Sequence, residues 1–523
     1  MAQKRRSLYV LPLIVLVCSI AGGFYGPQVQ AESADPSDTA ELDQDVASFT
    51  KVLALVEQNF AEPVSADKAI YKGAVPGMLR TLDPHSNFFD PKDYQELRED
   101  QRGHYSGVGM QVQSRNGKTV VQAPFPGYPA YKAGLRAGDI IVMVNDRPTD
   151  GLNTTEIADM LKGQRGTQVK IVVTRDDISR KSVTDAFWVK PGIAYVKILQ
   201  FNETTGKELD DNLKRLGENN IKGLVLDLRN NPGGLLNQGI DVADHFLEKG
   251  ALIVSHHGRS SPEKSYVARN GNHGHEYPIV VLVDGYSASA AEIVAGALQD
   301  HDRAWIMGTR TFGKGLVQTV YPLSENTGLA LTTAHFYTPS GRLIQRDYSN
   351  RSFYDYYFHK GDDTKNPLDV KMTEGGRTVY GGGGITPDDK YEAPKLNRLE
   401  LELGRAGLFN FARWYFGSHS TSLPKGWMPD TTFLEQFHDY LLQHGTSFAE
   451  SEFMQDRDWI TRYLAREMYI TAFNIDESDR VFAQTDPEVA KAVDAMPKAN
   501  ALLESTKKII VERMNAQHAA AHR

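Results

Sequence analysis

A single cysteine, Cys18, in 523 residues leaves the rest of the chain without an intramolecular disulfide, a zinc–thiolate site or a cysteine nucleophile. Basic residues are not in excess either. The 58 Lys and Arg stand against 66 Asp and Glu, a formal charge of −8, so nothing invites nucleic acid. Metal-ligand spacing is equally scarce. "HGH" at 273–275 sits in the polar loop "NGNHGHE" with no further ligands nearby, so neither a metal nor another cofactor is expected. What remains is 41% hydrophobic and 24% charged, ordinary for globular protein. The length is too great for one core and implies roughly three or four domains.

Long apolar runs are absent except at the start. Lys4, Arg5 and Arg6 precede "SLYVLPLIVLVCSIAGGFYG", and no charge follows until Glu32. A basic stretch before an apolar run reads as an export signal. The run is longer than a usual signal core and close to the minimum for a membrane span. "VQA" at 29–31 would serve as a cleavage site. An uncleaved anchor over residues 1–31, touching the membrane, is favoured over a cleaved peptide. Val17 before Cys18 is too large for a lipoprotein signal.

After a polar linker, residues 32–103 read as helical. Val46, Phe49, Val52, Leu53, Val56 and Phe60 form a helical stripe, a second helix breaks at Pro76 and Gly77, and "LDPHSNFFDPKDY" is a turn-rich connection. Residues 104–178 read as a small β-domain, with a hairpin turn at Asn116-Gly117 and a helix from Thr154 or Thr155 to Gly163. Residues 179–395 form an α/β region. Its strands are "AYVKILQF", "GLVLDL", "PIVVLVDG", "AWIMG" and "LALTTAHFY", with helices near 205–218, 235–249 and 289–300 and a glycine-rich return from 350. Residues 396–523 are helical.

Three stretches of the α/β region carry chemistry. In "LVLDLRNNPGG" an apolar strand runs into a glycine turn with uncovered N–H groups, which can hold a developing oxyanion or be an ordinary turn. "PIVVLVDGYSAS" delivers Ser287 and Ser289 to a strand-to-helix corner; it is G-x-S-x-S rather than the hydrolase G-x-S-x-G. In "TFGKGLVQ", Lys314 lies between two glycines. Burial would lower its pKa enough for it to serve a serine as base, and Gln318 stands four residues on. A mobile loop lysine is the plainer reading of that stretch alone.

Together these segments resemble the carboxy-terminal processing peptidases, the tail-specific S41 serine peptidases. The resemblance covers roughly residues 45–390 and includes "LDPHSNFF", "LVLDLRNNPGGLL", "GYSASAAEIVAGALQD", "GTRTFGKGLVQ" and "FYTPSGRLIQ". It implies a PDZ-like β-domain and a crotonase/ClpP-like peptidase core, and with the helical N-terminal segment and helical C-terminal region read from the residue pattern the chain is expected to be a multidomain α/β protein. The family pattern places the nucleophile at Ser289 rather than Ser287, the base at Lys314 and its orienting partner at Gln318. The oxyanion donors fall on Ala290 and the Gly233/Gly234 turn. Ala291 stands where the family often has a further serine.

The PDZ-like region implies capture of a peptide C-terminus as an added strand. Its carboxylate loop falls at Ser106, Gly107, Val108 and Gly109, followed by Met110 and Val112, with Ile157 and Leu161 either lining the pocket or packing the core. Arg175 reads as a surface charge at the linker. The expected partners are polypeptides with accessible C-termini, in a bacterial-type periplasm or cell envelope. Dimerisation and adaptor docking stay open as roles for residues 396–523. A catalytically silent PDZ scaffold is the alternative of another class, opposed by the intact Ser289, Lys314 and Gln318. A Ser-His-Asp enzyme is the nearest chemical rival, yet none of His85, His256 and His257 stands in a motif that pairs it with a serine. A crotonase-type enzyme would leave the dyad without purpose.

Overall fold

The computed structural model describes residues 36–521 apart from 116, 172, 175, 185, 350–351, 358–368 and 420–421. The expected export segment at 1–31 and Arg175 lie outside the described residues. Among the described residues no helix is long and apolar enough to cross a membrane. The chain divides into two compact units, one ending at Met78 and the other beginning at Leu79.

The first unit holds the helix Pro36–Asn59, whose residues Val46, Phe49, Val52 and Val56 are exposed, as is Phe60 just beyond it. The helix expected to break at Pro76 instead continues. Ala66–Ala69 passes through a π-helical turn, Ile70–Ala74, into Val75–Arg80. Proline has no N–H to give the preceding turn, and a widened turn absorbs that loss without ending the helix.

In the second unit the connection after residue 83 is more ordered than its turn residues suggest. Asn87–Phe89 forms a strand paired with Gly328–Tyr337, and Asp90 caps the helix Pro91–Arg102 through the Lys92 and Asp93 N–H groups. The small β-domain follows. Met110–Arg115 pairs with Lys118–Pro124, and His104–Gly107 with Asp176–Ser179. Asn153 and Glu156 cap the helix Thr154–Leu161 reciprocally. Its core gathers Val108, Met110, Val121, Ala130, Ile141, Val144, Ile157, Leu161 and Val169.

The α/β region is built on a six-stranded sheet in the order Phe187–Lys190, Ile193–Lys197, Gly223–Asp227, Ile279–Val283, Ala304–Gly308, Asp389–Lys390. All neighbours are parallel except the first pair. Side chains alternate across a strand, and both faces are covered. Leu224, Leu226, Ile279, Val281 and Val283 face the helices Thr205–Leu216, Leu236–Phe246 and Ala290–Asp300. Val225, Val280 and Leu282 face Ala483, Val489, Ala492, Val493, Met496 and Ala499 of the C-terminal region. A second sheet joins Leu316–Pro322, Asn87–Phe89 and Leu252–Gly258 to the long strand Gly328–Tyr337, with Ser261–Val267 at its edge.

The C-terminal region also has its own core around Phe411, which is fully buried. Phe437, Tyr440 and Phe433 hold it with ring centroids at 5.0, 5.3 and 5.5 Å. Phe411→Ala is expected to cost about 3–5 kcal/mol, measured as an earlier urea transition of the helical signal with the fold otherwise retained.

Candidate active site

Both glycine turn and serine corner leave the sheet at the carboxyl ends of adjacent strands, where open α/β sheets place their ligands. The turn after Gly223–Asp227 is held by Asn231, which is fully buried. Its Nδ2 donates to Ile198 O at 2.8 Å, its Oδ1 accepts from Gly233 N at 2.8 Å, and its carbonyl accepts from Ala288 N at 2.9 Å. Gly233 has φ 94° and lies against the serine corner: a Cβ there would stand 2.6 Å from Ala288 O and 2.7 Å from Ser289 Cβ. Only glycine permits that approach. Gly234, with φ 142°, is closer still to the Phe201 backbone, where a Cβ would stand 2.0 Å from Phe201 O.

The two serines part company in their surroundings. Ser287 is fully buried; its Oγ donates to Leu228 O at 2.8 Å and accepts from Asp284 N at 2.9 Å. That hydroxyl is occupied in holding the corner. Asp284 assists, its Oδ1 accepting from Asn230 N, Tyr286 N and Ser287 N at 3.0, 2.9 and 3.0 Å. Ser289 is half-buried and takes φ 55°, ψ −115°, a region that costs a non-glycine residue of order 1–3 kcal/mol and recurs at functional sites. Ala290 follows at the first helical position, where an N–H has no acceptor within the helix.

Glu292 joins this corner to the lysine loop. Fully buried, it accepts from Ser289 N at 2.9 Å and Lys314 N at 2.8 Å through Oε2, and from Gly313 N at 2.7 Å and Thr311 Oγ1 at 2.5 Å through Oε1. Burial pushes its carboxyl up, and these four bonds oppose the rise. Phe312 N donates to Ser287 O at 2.9 Å, a second tie between the same loops.

Lys314 is half-buried, and desolvation lowers its amine below the ordinary 10.5, although Asp83 and Glu292 favour the charged form. Its Nζ donates to Gln318 Oε1 at 2.9 Å, and Gln318 Nε2 donates to His85 O at 2.5 Å. Ser289 Oγ and Lys314 Nζ share no hydrogen bond among the described residues; such bonds are often long before substrate binds.

The sequence reading overlooked Glu292 and the part played by His85. "LDPHS" is a turn, as its residues suggest, but one folded against Gln318, the partner of Lys314. Asp83 accepts from His85 N, Ser86 N and Ser86 Oγ at 2.7, 2.8 and 2.6 Å, and Ser86 Oγ accepts from Thr332 N at 3.1 Å. The His85 ring is engaged by Tyr356 OH at 2.9 Å and Tyr357 OH at 3.2 Å. His256 bonds Tyr266 and His257 bonds Tyr337, so none of the three histidines is a partner of Ser289. The histidine between Pro84 and Ser86 was the available signal; its target lies 233 residues away.

In the small β-domain, Val108, Met110, Ile157 and Leu161 are buried in its core, and half-buried Val112 packs against them. Ser106 lies in a strand, and Gly107 and Gly109 are buried. Val108 O and Gly109 O accept from Ala130 N and Phe125 N at 2.8 and 2.9 Å.

Residues 192–349 match the profile of peptidase family S41, and residues 120–175 match that of the PDZ domain. A carboxy-terminal-processing protease of Bartonella bacilliformis is 37% identical over 343 residues, 62% of this chain and 79% of the relative. A chloroplastic C-terminal processing peptidase of Tetradesmus obliquus is 36% identical over 315 residues, 54% of this chain and 68% of the relative. Among solved structures, a photosystem II D1 C-terminal processing protease aligns at 28% identity and TM-score 0.36, covering 66% of this chain and 92% of that chain.

Burial, chiefly, with the charge of Lys314 holds His85 down at about 4 against an ordinary 6.5. The unfolded chain therefore takes up a proton that the fold refuses, and stability falls as pH drops through 6.5 toward 4. That loss is roughly 3 kcal/mol. His85→Gln should remove this share of the difference between urea denaturation at pH 7 and at pH 4.

Proposed function

Because the chain belongs to peptidase family S41 and is a serine-type peptidase of the carboxy-terminal processing kind, we propose that Ser289 is its nucleophile and Lys314 its general base. Neutral Lys314 takes the proton from Ser289 Oγ as that oxygen attacks a peptide carbonyl. The tetrahedral oxyanion is met by the N–H of Ala290 and by the Gly233/Gly234 turn. Gly233 N–H is already given to Asn231 Oδ1 at 2.8 Å, so its contribution requires sharing or releasing that bond. The lysine then passes its proton to the leaving amine, the amine departs, and an acyl-enzyme remains on Ser289. Lys314 next takes a proton from water as it attacks the ester, and returns it to the serine oxygen.

The observation that carries this reading is the Glu292 carboxylate. Its Oε2 binds the backbone N–H of both Ser289 and Lys314, at 2.9 and 2.8 Å, and so sets nucleophile and base on one small frame. Gln318 supports the assignment by accepting from the lysine amine, with its own amide held by His85 O.

Substrates are polypeptides with a free C-terminus. The PDZ domain supplies the recognition, its carboxylate loop spanning Ser106–Gly109, with Met110 and Val112 on the receiving strand and Ile157 and Leu161 on the facing helix. The basic and apolar N-terminal segment supports work outside the cytoplasm, in the cell envelope.

Incubated with an unstructured protein and followed by mass spectrometry, Ser289→Ala is expected to be inactive and Lys314→Ala slower by at least about 10²–10⁴-fold. Ser287→Ala should still cleave; activity surviving in Ser289→Ala would overturn the dyad. The rate should rise with pH as Lys314 loses its proton, with a midpoint below 10.5. Lys314→Arg, charged at every accessible pH, should be inactive throughout. Amidating the substrate C-terminus should raise KM with kcat little changed, and a substrate bound but never cleaved would favour a scaffold.

A further inference from the structure

Arg229 stands between the end of strand Gly223–Asp227 and the glycine turn, and two parts of the chain hold its guanidinium. From the sheet, fully buried Asp227 accepts from Arg229 Nε at 3.0 Å and from its terminal nitrogen at 2.6 Å, while Tyr195 OH donates to the same carboxylate at 2.7 Å. From the C-terminal region, Glu488 accepts from the other terminal nitrogen at 2.6 Å, and Asp486 lies 3.0 Å from that nitrogen. Asp486 also accepts from Glu488 N at 2.8 Å at the start of the helix Pro487–Asp494. That helix packs Val489, Ala492 and Val493 on the sheet beneath the turn.

Deepening the reading of Ser289 as nucleophile, on which this rests, we propose that Glu488 and Asp486 are positioning residues: through Arg229 they hold the Asn230–Gly234 turn in the shape that meets the oxyanion. Asn230 and Asn231, the next two residues, carry the ties to Asp284 and to Ile198 and Ala288. Rotation of the Arg229 backbone is therefore passed directly into the turn. A guanidinium with its donors shared among three carboxylates has little freedom to rotate. The groups facing Glu488 are Arg229, Asp486, Asp227 and Tyr391. Burial pushes the Glu488 carboxyl up to about 7, and the bond to Arg229 opposes that rise. The C-terminal helices thereby gain a task in catalysis as well as in covering the sheet.

The test uses the full chain with Glu488→Gln and the double variant Asp486→Asn/Glu488→Gln. Asp476→Asn, which breaks the exposed pair with Lys181 at 3.1 Å, serves as control. The double variant should lose about 10- to 100-fold in kcat, with KM nearly unchanged because the substrate is captured elsewhere. Glu488→Gln should fall between it and wild type. Hydrogen exchange of a peptide covering 228–235 should quicken in parallel, while helix Arg457–Ala472 and the control stay as in wild type. Unchanged exchange at 228–235 in the double variant would overturn the proposal. So would quickening of equal size across the C-terminal helices, which would make the network a general stability element. The exchange readout decides the matter even if wild-type cleavage survives Ser289→Ala and the nucleophile reading fails.

Discussion

The candidate site depends on one carboxylate taken out of water. An unpartnered buried Glu292 would be costly. The fold meets that cost with four donors, and two of them are the backbone N–H groups of Ser289 and Lys314. Satisfying the charge and spacing Ser289 from Lys314 are thus a single act. The serine corner and the lysine loop come from different strand ends, and this shared acceptor joins them alongside the bond from Phe312 N to Ser287 O. The strained backbone of Ser289 is stabilised at the same point, since its N–H is one of the four donors.

Around this frame, polar side chains convert loop ends into fixed geometry. Asn231 ties the glycine turn to the serine corner, Asp284 ties the corner back to the turn, and Ser287 spends its hydroxyl on Leu228. On the far side, His85 offers a carbonyl to Gln318 while its ring is caged by tyrosines and kept neutral. Neutral there, His85 adds no charge beside Lys314, whose amine is lowered by burial against the pull of Asp83 and Glu292. A neutral amine at the start of the reaction is what a serine hydroxyl requires of its base.

The sheet explains why the chain needs its last hundred residues. A parallel sheet must be buried on both faces. The helices between its strands cover one face, and the C-terminal helices cover Val225, Val280 and Leu282 on the other. Placing that layer also brings Asp486 and Glu488 to Arg229, beside the turn. Packing and polar contact reach the site from the same helix.

Much of this was legible without coordinates. Strands buried on both faces read as unbroken apolar runs, so "GLVLDL", "PIVVLVDG" and "AWIMG" declared themselves, as did the glycine turn, the small-residue corner and the lysine between glycines. The strands Leu252–Gly258 and Leu316–Pro322 did not, because their faces mix polar and apolar residues, and Asn87–Phe89 is a strand only through its pairing with Gly328–Tyr337. Residue type alone left Ser287 and Ser289 chemically equal. The fold separated them by occupying one hydroxyl and straining the backbone of the other. Helical periodicity marked residues 396–523 but not which surface they would cover. Pattern along the chain records local preference and burial. The partners of Glu292, Gln318 and Arg229 were decided by distant segments meeting in the fold, where a buried charge or amide must find its hydrogen bonds.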